Sequence, residues 1–414
     1  MWKSTAKGRD RWSTVVWVLI VVMLLIATAY GAYSYGLSQS PAALGEKDRG
    51  SLVLYAEALD TVRDDYVDRE AIDPRKQTYG AIEGMLDTLG DEGHTRFLTP
   101  EEREENSESL SGTYVGIGVT LKSEDEEIVV VSLVEGSPAD EAGVKPGDIV
   151  VAVDGESMLG EEISEVSEKV RGPEGTRVKL TVLRDGEERA FDLERAEIER
   201  PTASWALIPG SDVAHVRLSS FSDDSAEKLG QAFEEARAAG ARRFILDLRD
   251  NPGGRLEQAV EIAGDFLQPG SVVYVREDAS GEREEIEVEG FADPADAPMA
   301  VMVNEGSASS SEILAGALRD NDRAAVIGET TFGTGTVLSE FVLRDGSAIL
   351  LGVAEWLTPD GDSIRETGIV PDEKVPLGED AEPLTPGEAR DLSREEILER
   401  DAQLRRAFEK LQGQ

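Results

Sequence analysis

The sequence predicts an α+β multidomain chain with N-terminal helices, a β-rich module, an α/β core built on a mixed sheet, and a C-terminal helix. Three patterns carry that expectation. Between Gly50 and Glu105 apolar residues recur with a helical period; between Gly112 and Glu197 short Val- and Ile-rich runs are cut by turn residues; beyond Trp205 strand-like runs alternate with amphipathic helical ones. At about 100 to 200 residues per domain, the 414 residues accommodate two or three such units.

Lys3, Lys7, Arg9 and Arg11 precede an uncharged stretch from Trp12 to Gly45 in which Val15 to Ile26 is almost wholly apolar. Residues 1–37 are therefore expected to be a cytoplasmic N-terminus followed by a membrane anchor. Positive charge stays inside, so the body lies outside the cytoplasm, periplasmic or extracellular, on a single-pass anchor in the cell membrane. Cleavage at Ala27-Thr28-Ala29 is the alternative, and it gives a secreted form. Residues 47–106 form the helical region, with Leu52, Tyr55, Ala56 and Leu59 on one stripe and Ala81, Ile82, Met85 and Leu86 on the next. Residues 107–197 form the β-rich module, with strands at Ile128 to Val134, Ile149 to Val153 and Val178 to Leu183. In residues 198–378 strands at Val213 to Leu218, Arg243 to Leu248, Val272 to Val275 and Ala300 to Val303 alternate with helices over Ser225 to Ala239, Leu256 to Leu267 and Ser310 to Arg319. Residues 379–414 are an acidic linker and a helix whose stripe of Ile397, Leu398, Leu404, Phe408 and Leu411 docks on the body or on a second copy in a homo-oligomer.

With 84 Asp and Glu against 42 Lys and Arg the net charge is −42, which repels a phosphate backbone and argues against nucleic acid as a partner. There is no cysteine, and two histidines, His94 and His215, do not make a typical zinc site. Hydrolytic chemistry here rests on Ser, Thr, Asp, Glu or Lys.

Two strings mark the β-rich module. Gly136 to Gly155, GSPADEAGVKPGDIVVAVDG, joins a short helix to a turn that launches a buried strand; Tyr114-Val115-Gly116-Ile117-Gly118 opens the module with two glycines. Glycines there let successive N–H groups converge on an anion while an extended peptide adds to the sheet edge. Together these strings resemble a PDZ domain of the type found in bacterial secreted proteases. That resemblance implies capture of protein or peptide C-termini at Tyr114 to Gly118, with Arg171 in RGPEGT either touching the peptide or solvated.

Two further strings carry the chemistry. DLRDNPGG, Asp247 to Gly254, sits where an apolar strand ends, and NEGSASSSEILAGAL, Asn304 to Leu318, runs through a Gly/Ser turn into a helix whose N-terminus favours developing negative charge. With the module ahead of them, GETTFGTGTV at Gly328 to Val337 and GIVPD at Gly368 to Asp372, these strings resemble the C-terminal processing peptidases, or tail-specific proteases, over about Gly50 to Leu377. The resemblance implies a serine-type endopeptidase without cofactor. Ser309 would be its nucleophile, and the backbone N–H groups of Gly253 or Gly254 and of Ser310 its oxyanion donors.

The sequence departs from that family at the general base. The family's lysine falls on Thr334, 25 residues after Ser309, and its glutamine four residues further on Leu338. A threonine hydroxyl does not accept a proton at neutral pH, and no lysine lies between Lys228 and Lys374. Glu312 is first a capping residue of the Ser-x-x-Glu kind and only second a base; His215 and His94 read as packed or solvated side chains. Two functions follow: a peptidase that cuts near a bound C-terminus, or a pseudoprotease that binds tails without cutting.

Overall fold

The computed structural model describes residues 46–413 apart from 92–93, 125–126, 135, 185, 290–295, 379–380 and 391. The described residues divide into two compact units between Thr78 and Tyr79. In the first, helix α1, Glu46–Asp65, is followed by a single 3-10 turn at Arg69–Ala71, capped by the Asp68 carboxylate accepting from the Glu70 N–H. The expected membrane location is corrected by this structure. Among the described residues no helix is long and apolar enough to cross a membrane. Helix α1 has the length, at 20 residues, but carries Lys47, Glu57, Asp60 and Arg63, and such charges are costly at a bilayer centre. The Trp12 to Gly45 run behind the anchor expectation lies outside the described residues.

Helix α2, Pro74–Asp87, leads into strand β1, Arg96–Leu98, and helix α3, Pro100–Ser111. Thr99 caps α3 reciprocally with Glu102, and Pro100 occupies its first turn, where the missing N–H costs nothing.

The β-rich module comprises β2, Thr113–Gly116; β3, Val119–Glu124; β4, Glu127–Leu133; α4, Pro138–Ala142; β5, Ile149–Val153; β6, Glu156–Ser157; α5, Ile163–Val170; β7, Arg177–Arg184; β8, Glu187–Glu194; and β9, Ala196–Glu199. The main sheet runs β3-β4-β5-β7-β8, and β2 pairs separately with β9. Ile117, Val130, Val150, Val166, Leu180 and Leu193 fill its own core. Below that core Asp148 is clamped by Arg184; burial would raise its pKa, but the guanidinium outweighs burial and holds it below the ordinary carboxylate value.

The α/β core follows as β10, Ala203–Leu207; β11, Val213–Leu218; α6, Ser225–Ala238; β12, Arg243–Asp247; α7, Leu256–Gly264; β13, Val272–Asp278; β14, Arg283–Glu287; β15, Met299–Val303; α8, Ser310–Asp320; β16, Ala325–Gly328; β17, Thr336–Val342; β18, Ala348–Leu357; and β19, Glu373–Lys374. Its mixed sheet runs β10-β11-β12-β15-β16-β19, antiparallel at β10 and parallel elsewhere. The Val272 to Val275 strand lies outside it, in a second sheet of β1, β18, β13 and β14 with β17 on β18.

Strand β12 shows why the central runs are continuously apolar. Phe244 and Leu246 face the core shared with α6, α7 and α8, whereas Ile245 between them faces the opposite side. That second face is covered by the chain's own C-terminus: α9, Pro386–Ala389; α10, Arg394–Arg400; and α11, Ala402–Gln412. Leu404, Ala407, Phe408 and Leu411 pack there against Ile245, Ala300, Met302 and Ile327. The predicted C-terminal stripe thus docks on the body.

Candidate active site

Strands β12 and β15 are parallel neighbours, so the turns leaving their carboxyl ends emerge side by side at one edge of the sheet. Those turns are Asp247 to Gly254 and Asn304 to Ser309. Asn304 binds them reciprocally, its Oδ1 accepting from the Asp250 N–H at 2.8 Å and its Nδ2 donating to Asp250 Oδ1 at 2.7 Å. Ser307 Oγ donates to the Leu248 carbonyl, the Ala308 N–H to the Asn251 carbonyl, and Ser311 Oγ to that same carbonyl at 2.9 Å.

This stitching holds Ser309 half-buried at φ 54° and ψ −117°, backbone angles that a side chain rarely adopts and that cost about 1 to 3 kcal/mol. A nucleophile on a sharp strand-to-helix turn has that character. Gly253 lies directly against it: a Cβ there would stand 2.7 Å from Ser309 Cβ and 2.9 Å from Ser310 N, at a φ of 96° that itself favours glycine. The Gly253 N–H is already committed to Asn251 Oδ1 at 2.9 Å. Those of Gly254 and Ser310 have no acceptor among the described residues, while Ser310 Oγ donates to the Gly254 carbonyl at 3.1 Å. Of the glycine pair, Gly254 has the free donor.

Thr334 reaches the same point from another direction. Its Oγ1 accepts from the Ser309 N–H at 3.2 Å, and its side chain is buried. Leu338, on β17, is exposed. Glu312, fully buried, organises the loop that carries Thr334. One carboxylate oxygen accepts from the Ser309 N–H at 2.9 Å and the Thr334 N–H at 3.0 Å, the other from Thr331 Oγ1 and from the Gly333 N–H at 2.7 Å. A carboxylate with four donors has no lone pair aimed at a substrate proton, which removes it as a base. The Ser-x-x-Glu spacing pointed to a cap; the bridge to residues 331–334 had no local signal. Glu312→Gln should cost at least about 2 kcal/mol, because the amide places an NH₂ against two N–H donors; denaturant unfolding measures it.

His215 is 1% exposed, with Nε2 2.8 Å from Asp247 Oδ2. Asp247 also takes both arms of Arg249, whose Nη1 reaches Asp401 at 2.8 Å and Gln403 at 3.0 Å. Burial would raise the Asp247 pKa, but Arg249 drives it far below the carboxylate range. His215 therefore belongs to a buried lock between sheet and C-terminus. His94 stands at the loop: its ring meets that of Phe332 edge-on, with centroids 5.6 Å apart.

The expected peptide-binding residues cluster on the other module. Gly118, at φ 81°, sits so close to Ser137 that a Cβ would come within 2.2 Å of Ser137 Cβ. Its carbonyl accepts from the Val134 N–H and that of Ile117 from Ala139, whereas the N–H groups of Ile117 and Gly118 have no acceptor among the described residues. Gly116 ends β2 beneath the Tyr114 ring, over which Arg200 lies at 5.1 Å; Val115 pairs with Glu197. Burial raises the Tyr114 pKa against the opposing charges of Arg200 and Arg171. Arg171 is exposed at the mouth of a cleft of about 520 Å³ with Ser164, Ser167 and Gly172, 3.9 Å from Glu105.

The description "Peptidase family S41" matches residues 212–375 and "PDZ domain" matches residues 129–184. The chain is 38% identical to the "Carboxyl-terminal-processing protease" of Synechocystis, over 80% of this chain and 78% of that protein. It is 34% identical to the "Carboxy-terminal processing protease CtpA" of Bacillus subtilis, over 87% and 76%. A putative S41 protease structure from Bacteroides fragilis shares the fold, with a TM-score of 0.50 at 16% identity over 77% of this chain and 89% of that one. On these grounds, together with the turn that carries Ser309, the chain belongs to peptidase family S41, among the PDZ-bearing carboxyl-terminal processing proteases.

Proposed function

We propose that this chain is a serine endopeptidase that seats a protein's C-terminus on the PDZ module and cleaves the polypeptide at Ser309. The observation that carries the reading is the strained Ser309 turn packed on Gly253, beside the N–H groups of Gly254 and Ser310, which have no acceptor among the described residues. In this reading Ser309 Oγ attacks the scissile carbonyl and those two donors take the developing oxyanion. The Ile117 and Gly118 N–H groups receive the substrate's terminal carboxylate, and Arg171, whose charge acts on the Tyr114 hydroxyl, adds attraction for it.

A second reading, a pseudoprotease that holds tails without cutting, is favoured by Thr334, whose hydroxyl meets the Ser309 N–H where the family supplies a lysine. One experiment separates them. The full chain is mixed with an unstructured protein ending in apolar residues, with and without amidation of its C-terminus. The peptidase reading expects fragments, and at least a tenfold loss of cleavage on amidation; binding without fragments selects the pseudoprotease.

A further inference from the structure

The second sheet has two edges of opposite chemistry. Strand β14, Arg283–Glu287, is charged at four of its five positions, the usual means of keeping an edge from pairing with another chain. Strand β17, Thr336–Val342, pairs with β18 alone among the described strands. Its sequence TVLSEFV holds a single charge, and it exposes Leu338, Phe341 and Val342. An apolar edge in water is a template for an incoming extended chain.

The ladder shows which backbone groups of β17 are open. A bulge lies between Val337 and Leu338, and pairing is regular from Leu338 to Val342. The Leu343 N–H donates to the Ser347 carbonyl at 2.7 Å, closing the hairpin. Counting back from that pair, Phe341–Ile349 and Ser339–Leu351 are the hydrogen-bonded pairs, so Leu338, Glu340 and Val342 turn their N–H and C=O groups away from β18. Gly352, opposite Leu338, follows the same alternation, its N–H donating to Thr95 Oγ1 at 3.0 Å on the far side of β18. The outward groups of Leu338, Glu340 and Val342 have no partner among the described residues.

This edge joins the two sites already described. Strand β17 begins two residues after Thr334, whose Oγ1 accepts from the Ser309 N–H at 3.2 Å. Toward its other end, Glu340 accepts from Arg103 Nε of α3 at 2.7 Å. Two residues along α3, Glu105 lies 3.9 Å from Arg171 at the mouth of the PDZ cleft. Ion pairs this exposed contribute little energy, but they fix where the elements lie. From Leu338 to Val342 the open edge spans about 13 Å.

We infer, on the peptidase reading above, that the open edge of β17 docks the stretch of substrate between its PDZ-held C-terminus and the scissile bond. A chain with its scissile carbonyl at Ser309 and its C-terminus on the PDZ module runs in the direction of β17, so it adds to the sheet as a parallel strand. Its main chain exchanges hydrogen bonds with Leu338, Glu340 and Val342, which selects an extended conformation rather than a sequence. The side chains of these three residues share one face, where Leu338 and Val342 favour apolar substrate residues and Glu340 disfavours acidic ones.

The test uses the full chain and synthetic peptides of about twenty residues with an apolar C-terminus. The peptides differ only in one N-methylated amide, moved residue by residue upstream of the part that the PDZ module covers, and both Kd and kcat/KM are measured. Each methyl removes one donor and blocks the approach of an edge. The expected pattern is a loss of about tenfold at alternate positions and less than twofold between them. Glu340→Pro removes an outward N–H and keeps the ladder with β18; it should weaken the long peptide about tenfold and leave a short tail peptide, which reaches only the PDZ module, within twofold. Glu340→Ala loses the Arg103 pair but keeps the N–H, and should cost less than a third as much. The methylation scan carries the test where the proline variant does not fold.

Long peptides that are cut with no alternation along the scan overturn the inference and leave the peptidase reading intact. Equal losses in the proline and alanine variants also overturn it, because the ion pair and not the open edge is then what matters. A parental dimer that dissociates in Glu340→Pro gives the edge to a second copy of the chain and overturns it as well. Alternation in Kd without any cleavage keeps the docking edge and overturns the peptidase reading.

Discussion

Ser309→Ala is expected to lower the cleavage rate of the full chain by about 10³-fold or more, with tail binding unchanged within twofold. In the proposed mechanism Ser309 Oγ forms the acyl bond, so its removal leaves whatever the Gly254 and Ser310 donors of that mechanism achieve with water alone. The selectivity follows from geometry. Alanine keeps the Cβ that packs on Gly253, and the hydrogen bonds of Ser309 to Glu312 and Thr334 run through its main-chain N–H, so the turn survives intact. Fragment formation followed over time, alongside binding of a fluorescent tail peptide, checks both halves. A variant that still cuts at the parental rate would move the nucleophile elsewhere.

Arg249→Met is expected to destabilise the fold by about 3 to 5 kcal/mol, the usual cost of leaving buried charges without their partner. Arg249 is fully buried and joins Asp247, at the end of β12, to Asp401, which caps α11 by accepting from the Leu404 N–H at 2.8 Å. Methionine leaves both carboxylates facing an apolar side chain. Denaturant unfolding at pH 7 measures the loss, and Asp401→Asn should give a smaller one because the charged Asp247–Arg249 pair survives. The pH dependence has a definite sign. A carboxyl whose folded pKa is depressed, as that of Asp247 is, contributes stability that is fully present above the unfolded value of about 3.9. That stability is lost only as pH falls toward the lower folded value. Stability from this lock should therefore be flat from pH 5 to 7 and decline in stronger acid; in Arg249→Met that acid-side decline should shrink.

The two histidines show how far local reading goes. A strand position between Ala214 and Val216 suggested a packed side chain for His215, and the structure gives it Asp247 as a buried partner. His94 in GDEGHT looked like an ordinary turn residue, because nothing within ten residues announces Phe332. Glu312 lies between these cases. Its spacing from Ser309 was legible as a cap, but its grip on Thr331, Gly333 and Thr334 depends on a loop that arrives after a further strand, β16.

By itself the sequence determined what is written in short-range patterns. These include the helical and strand periods, the glycines of Tyr114 to Gly118, the Gly-Gly turn at Gly253 and Gly254, the serine run around Ser309, and threonine at position 334. Such features follow from backbone sterics and from burial of one face, and both act over a few residues. Only the tertiary structure decided that the turns after β12 and β15 adjoin, and that Val272 to Val275 joins a second sheet. It alone decided that the C-terminal stripe covers the chain's own sheet, that the Gly253 N–H rather than that of Gly254 is taken by Asn251, and that the His94 ring meets Phe332. Those outcomes depend on strand order and on which distant groups compete for each hydrogen bond, and periodicity along a chain contains neither.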